Sequence, residues 1–339
     1  MPDNLQLLRD TMGRPLLDLR ISVTDRCNFR CPYCMPKAIY GAAFKFLPRS
    51  EILSFEEILR LARIFHRFGV RKFRLTGGEP LLRAELTTLI AWLSEMPEAE
   101  IALTTNGSLL ADHAQGLADA GLSRVTVSLD SLDETVSAEM NDVEVPLEAV
   151  TAGIAAAVRA GLTPVKLNAV IKKGSNDEAL IDFARHFKGT ELIPRFIEYM
   201  DVGTTNGWRL DEVVSGAEIV KRISAAEEIE PLAPSRQGEV AKRWRYADGG
   251  GEFGVITSVT QPFCGDCTRA RISADGKLYT CLFAASGIDL REQLRKGATD
   301  DELAGALSNV WQKRADRYSE LRAKAVSSSD KIEMSYIGG

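Results

Sequence analysis

Strand-like and helix-like runs alternate about six times within the first 200 residues, and few folds accommodate that rhythm. Strands are expected over 17–24, 72–76, 101–105, 124–129, 163–171 and 195–200, with helices over 55–68, 84–95, 111–120, 146–160 and 177–187. The first helix opens on a capping box, Ser54 with Glu57 three residues on, and stops at Gly69. Repeated βα units of this length give a parallel sheet. About six of them suit a partial or complete β/α barrel better than an open doubly wound sheet. Strand polarity favours the barrel, because strands covered on both faces normally read as continuous apolar runs. Here a polar residue returns every second position: Arg20/Ser22/Thr24, Lys72/Arg74/Thr76, Thr126/Ser128/Asp130 and Lys166/Asn168. A lumen lined this way would be wet, and Arg20, Lys72, Arg74 and Lys166 would make it basic, suited to a polyphosphate. On exposed edges the same four would be merely solvated, but four on separate strands favour a ligand site.

After about residue 205 the rhythm weakens. A helix is expected over 217–226, then a Pro/Gly-rich charged connection over 230–251. Strands follow over 252–260 and 271–279, the latter with an Asp275-Gly276 turn, then helices near 290–295 and 301–318 and a polar tail. The expected division is a β/α barrel over 1–230 and a second region over 231–339. The net charge of −5 gives no general attraction to nucleic acid or anionic membrane. No apolar stretch approaches membrane-spanning length, and the first residues carry no cationic segment followed by an apolar run. The expectation is a soluble cytoplasmic protein with neither a nucleic-acid nor a membrane partner. Six cysteines in a reducing compartment then point to metal or redox chemistry rather than to disulfides.

They fall into two triads. Cys27, Cys31 and Cys34 form C-x-x-x-C-x-x-C just after the first expected strand. Three thiolates in one loop can hold three irons of a cubane and leave the fourth open to a small molecule. Structural zinc would want a fourth ligand, and His66, His113 and His186 stand at no finger-like spacing. Gly77-Gly78-Glu79-Pro80 follows the second strand, where two glycines allow close backbone approach to a ligand and β/α barrels gather their active sites. A Gly-Gly pair alone is more often just a turn.

Together, the cysteine motif and the Gly-Gly-Glu-Pro loop resemble the radical S-adenosylmethionine (SAM) superfamily. The resemblance implies a partial (β/α)6 barrel, a [4Fe–4S] cluster on the first triad, and SAM chelated to its open iron. It further implies SAM contacts at Tyr33, Gly78, Ser128 and Met200, and a 5′-deoxyadenosyl radical that abstracts hydrogen from substrate.

The second triad is Cys264, Cys267 and Cys281, set in Cys264-Gly265-Asp266-Cys267-Thr268-Arg269-Ala270-Arg271. A zinc ribbon lacking one ligand, or a Cys281 that is merely buried, would explain it blandly. Three thiols without a fourth again suit a cluster with an open iron, and Arg269 and Arg271 share a face if this segment is extended. The pattern resembles the GTP 3′,8-cyclase family of molybdenum-cofactor biosynthesis nearly end to end. It takes in the run from Leu19 to Cys27, Leu103-Thr104-Thr105-Asn106-Gly107, Phe196-Ile197-Glu198-Tyr199-Met200-Asp201-Val202-Gly203 and the closing Gly338-Gly339. The resemblance implies a second [4Fe–4S] cluster that takes the guanine of GTP, and GTP contacts at Arg20, Lys72, Arg74, Thr105, Lys166, Arg195, Arg269, Ala270 and Arg271. Simple alternation sets Arg195 on the face opposite Met200. The implied reaction removes hydrogen from ribose C3′ and closes C3′ onto guanine C8. Arg20, Arg269 and Arg271 are the candidates for the final proton, and the two terminal glycines reach into the site. A reducing electron donor is required, and the product would pass to a cyclic pyranopterin monophosphate synthase. A homodimer is left open. The rival readings are a radical SAM peptide maturase, which typically carries more cysteines, and a zinc-stabilised binding module, which leaves the Gly-Gly loop unexplained. A P-loop hydrolase is disfavoured because G-x-x-x-x-G-K-[ST] is absent.

Overall fold

The computed structural model describes residues 7–321 and 331–338. Its first part is a run of six parallel strands, β1 (Asp18–Ser22), β2 (Lys72–Thr76), β3 (Glu100–Thr105), β4 (Arg124–Ser128), β5 (Lys166–Ile171) and β6 (Ile193–Glu198). The intervening helices are α1 (Phe55–Arg67), α2 (Leu86–Ser94), α3 (Leu110–Asp119), α4 (Glu134–Asn141), α5 (Leu147–Arg159) and α6 (Leu180–Phe187). The capping box at Ser54 and Glu57 forms in both directions, a device that contributes about 1 kcal/mol. The unexpected helix is α4; its N-cap Asp133 accepts from the Val136 amide.

Period-two alternation sorts the strands. Leu19, Ile21, Phe73, Leu75, Ile101, Leu103, Val125, Val127, Leu167 and Phe196 are essentially fully buried, under the helices in the main apolar core. The alternate positions face inward and are mostly polar, with Ala102, Val170, Ile193 and Ile197 as the apolar members.

The later residues do more than extend this barrel. The chain continues through α7 (Gly216–Ala226), β7 (Ile229–Leu232), β8 (Lys242–Tyr246), β9 (Glu252–Ile256), β10 (Arg269–Ile272), β11 (Lys277–Tyr279), β12 (Ile288–Asp289), α8 (Leu290–Arg295), α9 (Asp300–Gln312), α10 (Tyr318–Leu321) and α11 (Met334–Ile337). All twelve strands join one sheet, in the order β12-β11-β10-β1-β2-β3-β4-β5-β6-β9-β8-β7. β10 lies parallel to β1 and β9 parallel to β6, so the C-terminal region completes both edges of the six-stranded core. The sheet curls without closing, since β12 and β7 are its ends: a partial barrel. The connection expected over 230–251 is instead largely the antiparallel pair β7–β8, whose strands carry alternating charges such as Glu230 and Arg245 on an edge. The expected strand over 271–279 is the hairpin β10–β11, turned at Gly276 with φ +80°.

Candidate active site

The first triad sits at the carboxyl end of the strands. Its loop is clamped by the glycine loop: the Gly78 amide donates to the Thr24 carbonyl at 3.0 Å and the Glu79 amide to that of Arg26 at 2.8 Å. A Cβ at Gly78 would overlap the Arg26 carbonyl, and one at Gly77 that of Thr24. The glycines are therefore required by the chain's own cysteine loop. Glu79 is buried behind it and accepts from the Leu81 amide (3.0 Å), the Asn106 amide (2.7 Å) and the Thr105 hydroxyl (2.7 Å). Burial raises its carboxyl to about 7 despite those donors. Asn106 Nδ2 donates to Asn28 Oδ1 at 2.8 Å and approaches Cys27 Sγ at 3.9 Å. Tyr33 donates its hydroxyl to Asp130 Oδ2 at 2.6 Å, tying the loop to the end of β4. Ser128 ends β4 on the inward face, opposite Asn168 in register, and Met200 follows β6. All four expected SAM-contacting residues thus stand at the carboxyl ends of strands.

The lumen is a cavity of about 370 Å³. Arg20, Lys72, Arg74, Lys166, Arg195, Arg269 and Arg271 all line it, as do Met200, Cys264, Cys267 and Cys281. Arg195 and Met200 meet there despite their odd spacing, because β6 ends at Glu198 and alternation does not carry past the strand. Arg74 donates to the Thr104 and Thr126 hydroxyls at 2.9 and 3.2 Å, and Arg195 to Thr126 at 3.3 Å. Burial and mutual repulsion act on these cations together. Lys72 is pushed down to about 7 by burial and then by Arg74, Arg236 and Arg124, and Lys166 to about 8 by burial and then by Arg195. Arg20 is lowered by burial first and then by Arg271, Arg269 and Arg74. Two expected contacts do not reach the cavity. Thr105 shares the outer face with Leu103 and is occupied by Glu79, while Ala270 lies in the apolar core between Arg269 and Arg271.

The second triad lies at the opposite end. Register pairs Asp18 with Arg269 and Arg271 with Tyr279, so Cys267 and Cys281 flank the amino end of β1 and Cys27 follows its carboxyl end. Five strand residues at ~3.3 Å each make that separation roughly 17 Å. Two buried arginines, distant in sequence, hold the triad's backbone: Arg14 donates to the Cys264 carbonyl at 2.7 Å and Arg314 to that of Cys267 at 2.8 Å. Both are balanced by Asp10 and Asp316. Burial raises the Cys267 thiol, but Arg269 and Arg314 outweigh it and hold the group at about 6, whereas burial leaves Cys281 at about 11.

The C-terminal tail enters from the carboxyl end. Gly338 has φ +71°, and a Cβ there would overlap Thr76 Cγ2, while its carbonyl accepts from Arg271. Lys331 pairs with Asp201 at 2.9 Å, and Glu333 accepts from Thr204 and Thr205. Gly339 lies outside the described residues.

Residues 21–187 match the Radical SAM superfamily model, and residues 193–320 match Molybdenum Cofactor Synthesis C. A GTP 3′,8-cyclase from Acidothermus cellulolyticus is 54% identical, over 98% of this chain and 99% of the relative. One from Staphylococcus aureus is 48% identical, over 99% of this chain and 100% of its own length. The chain belongs to the GTP 3′,8-cyclase family. Among solved structures, Streptococcus suis SuiB bound to S-adenosylmethionine superposes with a TM-score of 0.59 at 15% identity, covering 94% of this chain and 69% of SuiB, a likeness of fold.

Membership in the GTP 3′,8-cyclase family brings SAM and a [4Fe–4S] cluster, and the first triad fits that group. Among the described residues no three His, Cys, Asp or Glu side chains converge on one point, as a mononuclear site would need. A cubane takes each thiolate on a separate iron, and three free thiols within eight residues, two of them bracketing Pro32-Tyr33, offer that donor set. The sequence pattern missed several residues of this lumen: Arg14, Arg124, Arg236, Arg314 and the acids Asp18 and Glu100. Arg124 carried a usable signal, since it precedes Thr126 and Ser128 at the same two-residue period.

Proposed function

We infer that this chain cyclises GTP to (8S)-3′,8-cyclo-7,8-dihydroguanosine 5′-triphosphate, the first step of molybdenum-cofactor biosynthesis. One observation carries the reading. Twelve cationic side chains against five carboxylates line a cavity together with the second cysteine triad, and the first triad follows the opposite end of β1. A triphosphate is the ligand whose charge and length suit such a lumen, and arginine meets phosphate oxygens bidentately. In the proposed arrangement Lys72, Arg74, Lys166 and Arg195 hold the triphosphate on one wall. Arg20, Arg269 and Arg271 face it from β1 and β10, within reach of the ribose.

The first triad, with Tyr33, Gly78, Ser128 and Met200, would hold the cluster and SAM, which would supply radical chemistry able to remove the C3′ hydrogen. The second triad is proposed to hold a second [4Fe–4S] cluster and to seat the guanine. Its fit rests on three free thiols in one cavity and on the cations that favour thiolate at Cys267. The chain's own work is positioning and exclusion of water. The cations of β2, β5 and β6 fix the phosphates, the second triad fixes the base, and the tail through Gly338 closes the carboxyl end over the ribose. Residues 1–230 would then carry the radical chemistry and the phosphate wall, and residues 231–339 the second triad with the arginines beside it. Six free cysteines favour a reducing compartment, and no helix among the described residues is long and apolar enough to cross a membrane.

The test is anaerobic reconstitution followed by iron and sulfide analysis, then deoxyadenosine formation from SAM with and without GTP. About eight irons per chain, GTP-stimulated deoxyadenosine and a cyclised nucleotide are expected. Zinc in place of iron, or indifference to GTP, would overturn the reading.

A further inference from the structure

Residues 26–50 contain five cations, Arg26, Arg30, Lys37, Lys45 and Arg49, and no carboxylate, in a chain whose net charge is −5. This segment includes the first triad and then folds over its outer side. The Cys34 and Met35 amides donate to the Cys31 carbonyl, Arg30 Nε donates to the Tyr40 carbonyl at 2.7 Å, and the Leu47 amide donates to Asp25 at 2.7 Å. Arg26 and Arg30 lie 5.8 and 5.9 Å from the Phe46 ring centre, and Phe44 packs between Tyr40 and Phe46 at 4.5 and 4.9 Å. The cover is thus fastened to the cysteine loop at both ends and in the middle.

Its outer face is an apolar patch with a cationic rim. Ile39 is 45% exposed and Phe44 38%, with Lys37, Lys45 and Arg49 exposed around them. Neighbouring carboxylates include Glu139 and Asp142 of the α4 segment, which touches the cysteine loop through Asn141. Asp142 stands 3.8 Å from Lys37, and Glu51 lies beyond the far edge. Asp25 is buried and accepts from the Leu47 amide, while Glu333 accepts from Thr204 and Thr205.

We propose that this face docks an acidic protein that carries single electrons and reduces the cluster on Cys27, Cys31 and Cys34. The inference rests on the proposed function, which consumes low-potential electrons at that triad. The lumen side of the triad is committed to ligands and tail, so a protein-sized donor must approach from outside, across the cover. One electron leaves the reduced carrier, which is oxidised by one, and enters the cluster, which is reduced by one; no atom is transferred. A small apolar centre ringed by one sign of charge suits such a partner. Steering raises the encounter rate, and a small contact lets the spent carrier leave.

The experiment uses the reconstituted holoenzyme and a chemically reduced, acidic [2Fe–2S] ferredoxin of low potential, with dithionite as a parallel direct reductant. In Lys37→Glu/Lys45→Glu/Arg49→Glu, ferredoxin-driven reduction should fall about tenfold or more at low salt. The gap should close as salt approaches about 0.5 M and the rim charges are screened. Dithionite-driven deoxyadenosine formation should be unchanged. Equal ferredoxin rates in wild type and variant at low salt would overturn the docking face. If the triple variant loses the dithionite reaction through misfolding, Lys37→Gln/Lys45→Gln must show a smaller fall with the same salt dependence, or the proposal fails. A wild-type enzyme that makes no deoxyadenosine even with dithionite would instead sink the proposed function.

Discussion

Lys72 gives the lumen a measurable pH signature. In the free protein, burial and three arginines hold it near 7, and Lys166 near 8. A bound triphosphate reverses the cause, because opposite charge favours the ammonium form. If binding returns both lysines to ~10.4, the ceiling for Lys72 alone is on the order of 5 kcal/mol. The sign is fixed: the charged form binds, so affinity is greatest below the free-state value and falls as pH rises through it. Between pH 7 and 9 the linkage relation gives up to about 50-fold weakening from Lys72 and about 10-fold from Lys166. Half of the restoration at Lys72 still leaves roughly tenfold. The phosphates contribute little in this window, since their last ionisation lies near pH ~6. Anaerobic calorimetry of GTP binding without reductant, in two buffers of different ionisation enthalpy, should register about 1.4 protons taken up at pH 8. Lys72→Arg stays charged and should remove about 0.9 of that uptake. GTP affinity that is constant from pH 7 to 9, with no proton uptake, would refute this account of the lumen.

Gly78→Ala places a methyl into the Arg26 carbonyl; displacing the cysteine loop should cost about 1–3 kcal/mol and remove the first triad's iron, read by metal analysis and thermal melting. Asp10→Asn with Arg14→Gln removes a buried ion pair together while deleting the donor to the Cys264 carbonyl. Iron on the second triad should become labile to chelator while SAM cleavage persists. Glu198 accepts from the amides of Gly216, Val259 and Thr260 at 2.7, 2.7 and 2.9 Å, so Glu198→Gln should lower stability by about 1–3 kcal/mol in denaturant melts. Deleting the two terminal glycines should abolish cyclisation and leave deoxyadenosine formation measurable; full cyclisation by the truncated chain would refute a role for the tail.

Most of the lumen was legible because a strand's faces alternate strictly. Arg20, Lys72, Arg74 and Lys166 announced themselves at period two, and the structure gathers them. The same parity sends the side chains of Thr105 and Ala270 to the outer face, so neither side chain lines the lumen. Alternation failed for Arg195 and Met200 for the converse reason, since it was applied across a strand end. The pair β7–β8 read as a connection because an edge hairpin carries charges on both strands and presents no apolar run. Arg14 and Arg314 were invisible for a different reason: nothing in a sequence says that residues 300 apart will share the carbonyls of one cysteine loop. The Gly77-Gly78 motif was legible as a close approach, but only the coordinates identify the approached backbone as residues 24–27.

The pairing of β10 with β1 turns these pieces into one site. Because the two strands are parallel and Asp18 faces Arg269, the loops bearing the two triads leave the sheet at opposite ends. The separation is therefore set by strand length rather than by loop conformation. Register also assigns the charges, since Arg20 stands opposite Arg271 and both face the lumen. A slip of one residue would send Arg269 and Arg271 into the apolar layer and bring Ala270 inward. That slip is opposed on both sides. Buried Asp18 accepts from the Thr268 hydroxyl at 2.7 Å, and the Leu17 and Asp18 amides donate to the Thr268 carbonyl at 3.0 and 3.1 Å. The two ends also differ electrically. Glu79 and Asp130 lie behind the first triad, while Arg14, Arg269, Arg271 and Arg314 surround the second. A polyanion entering this lumen is drawn toward the arginines around the second triad, leaving the carboxyl end to the radical chemistry.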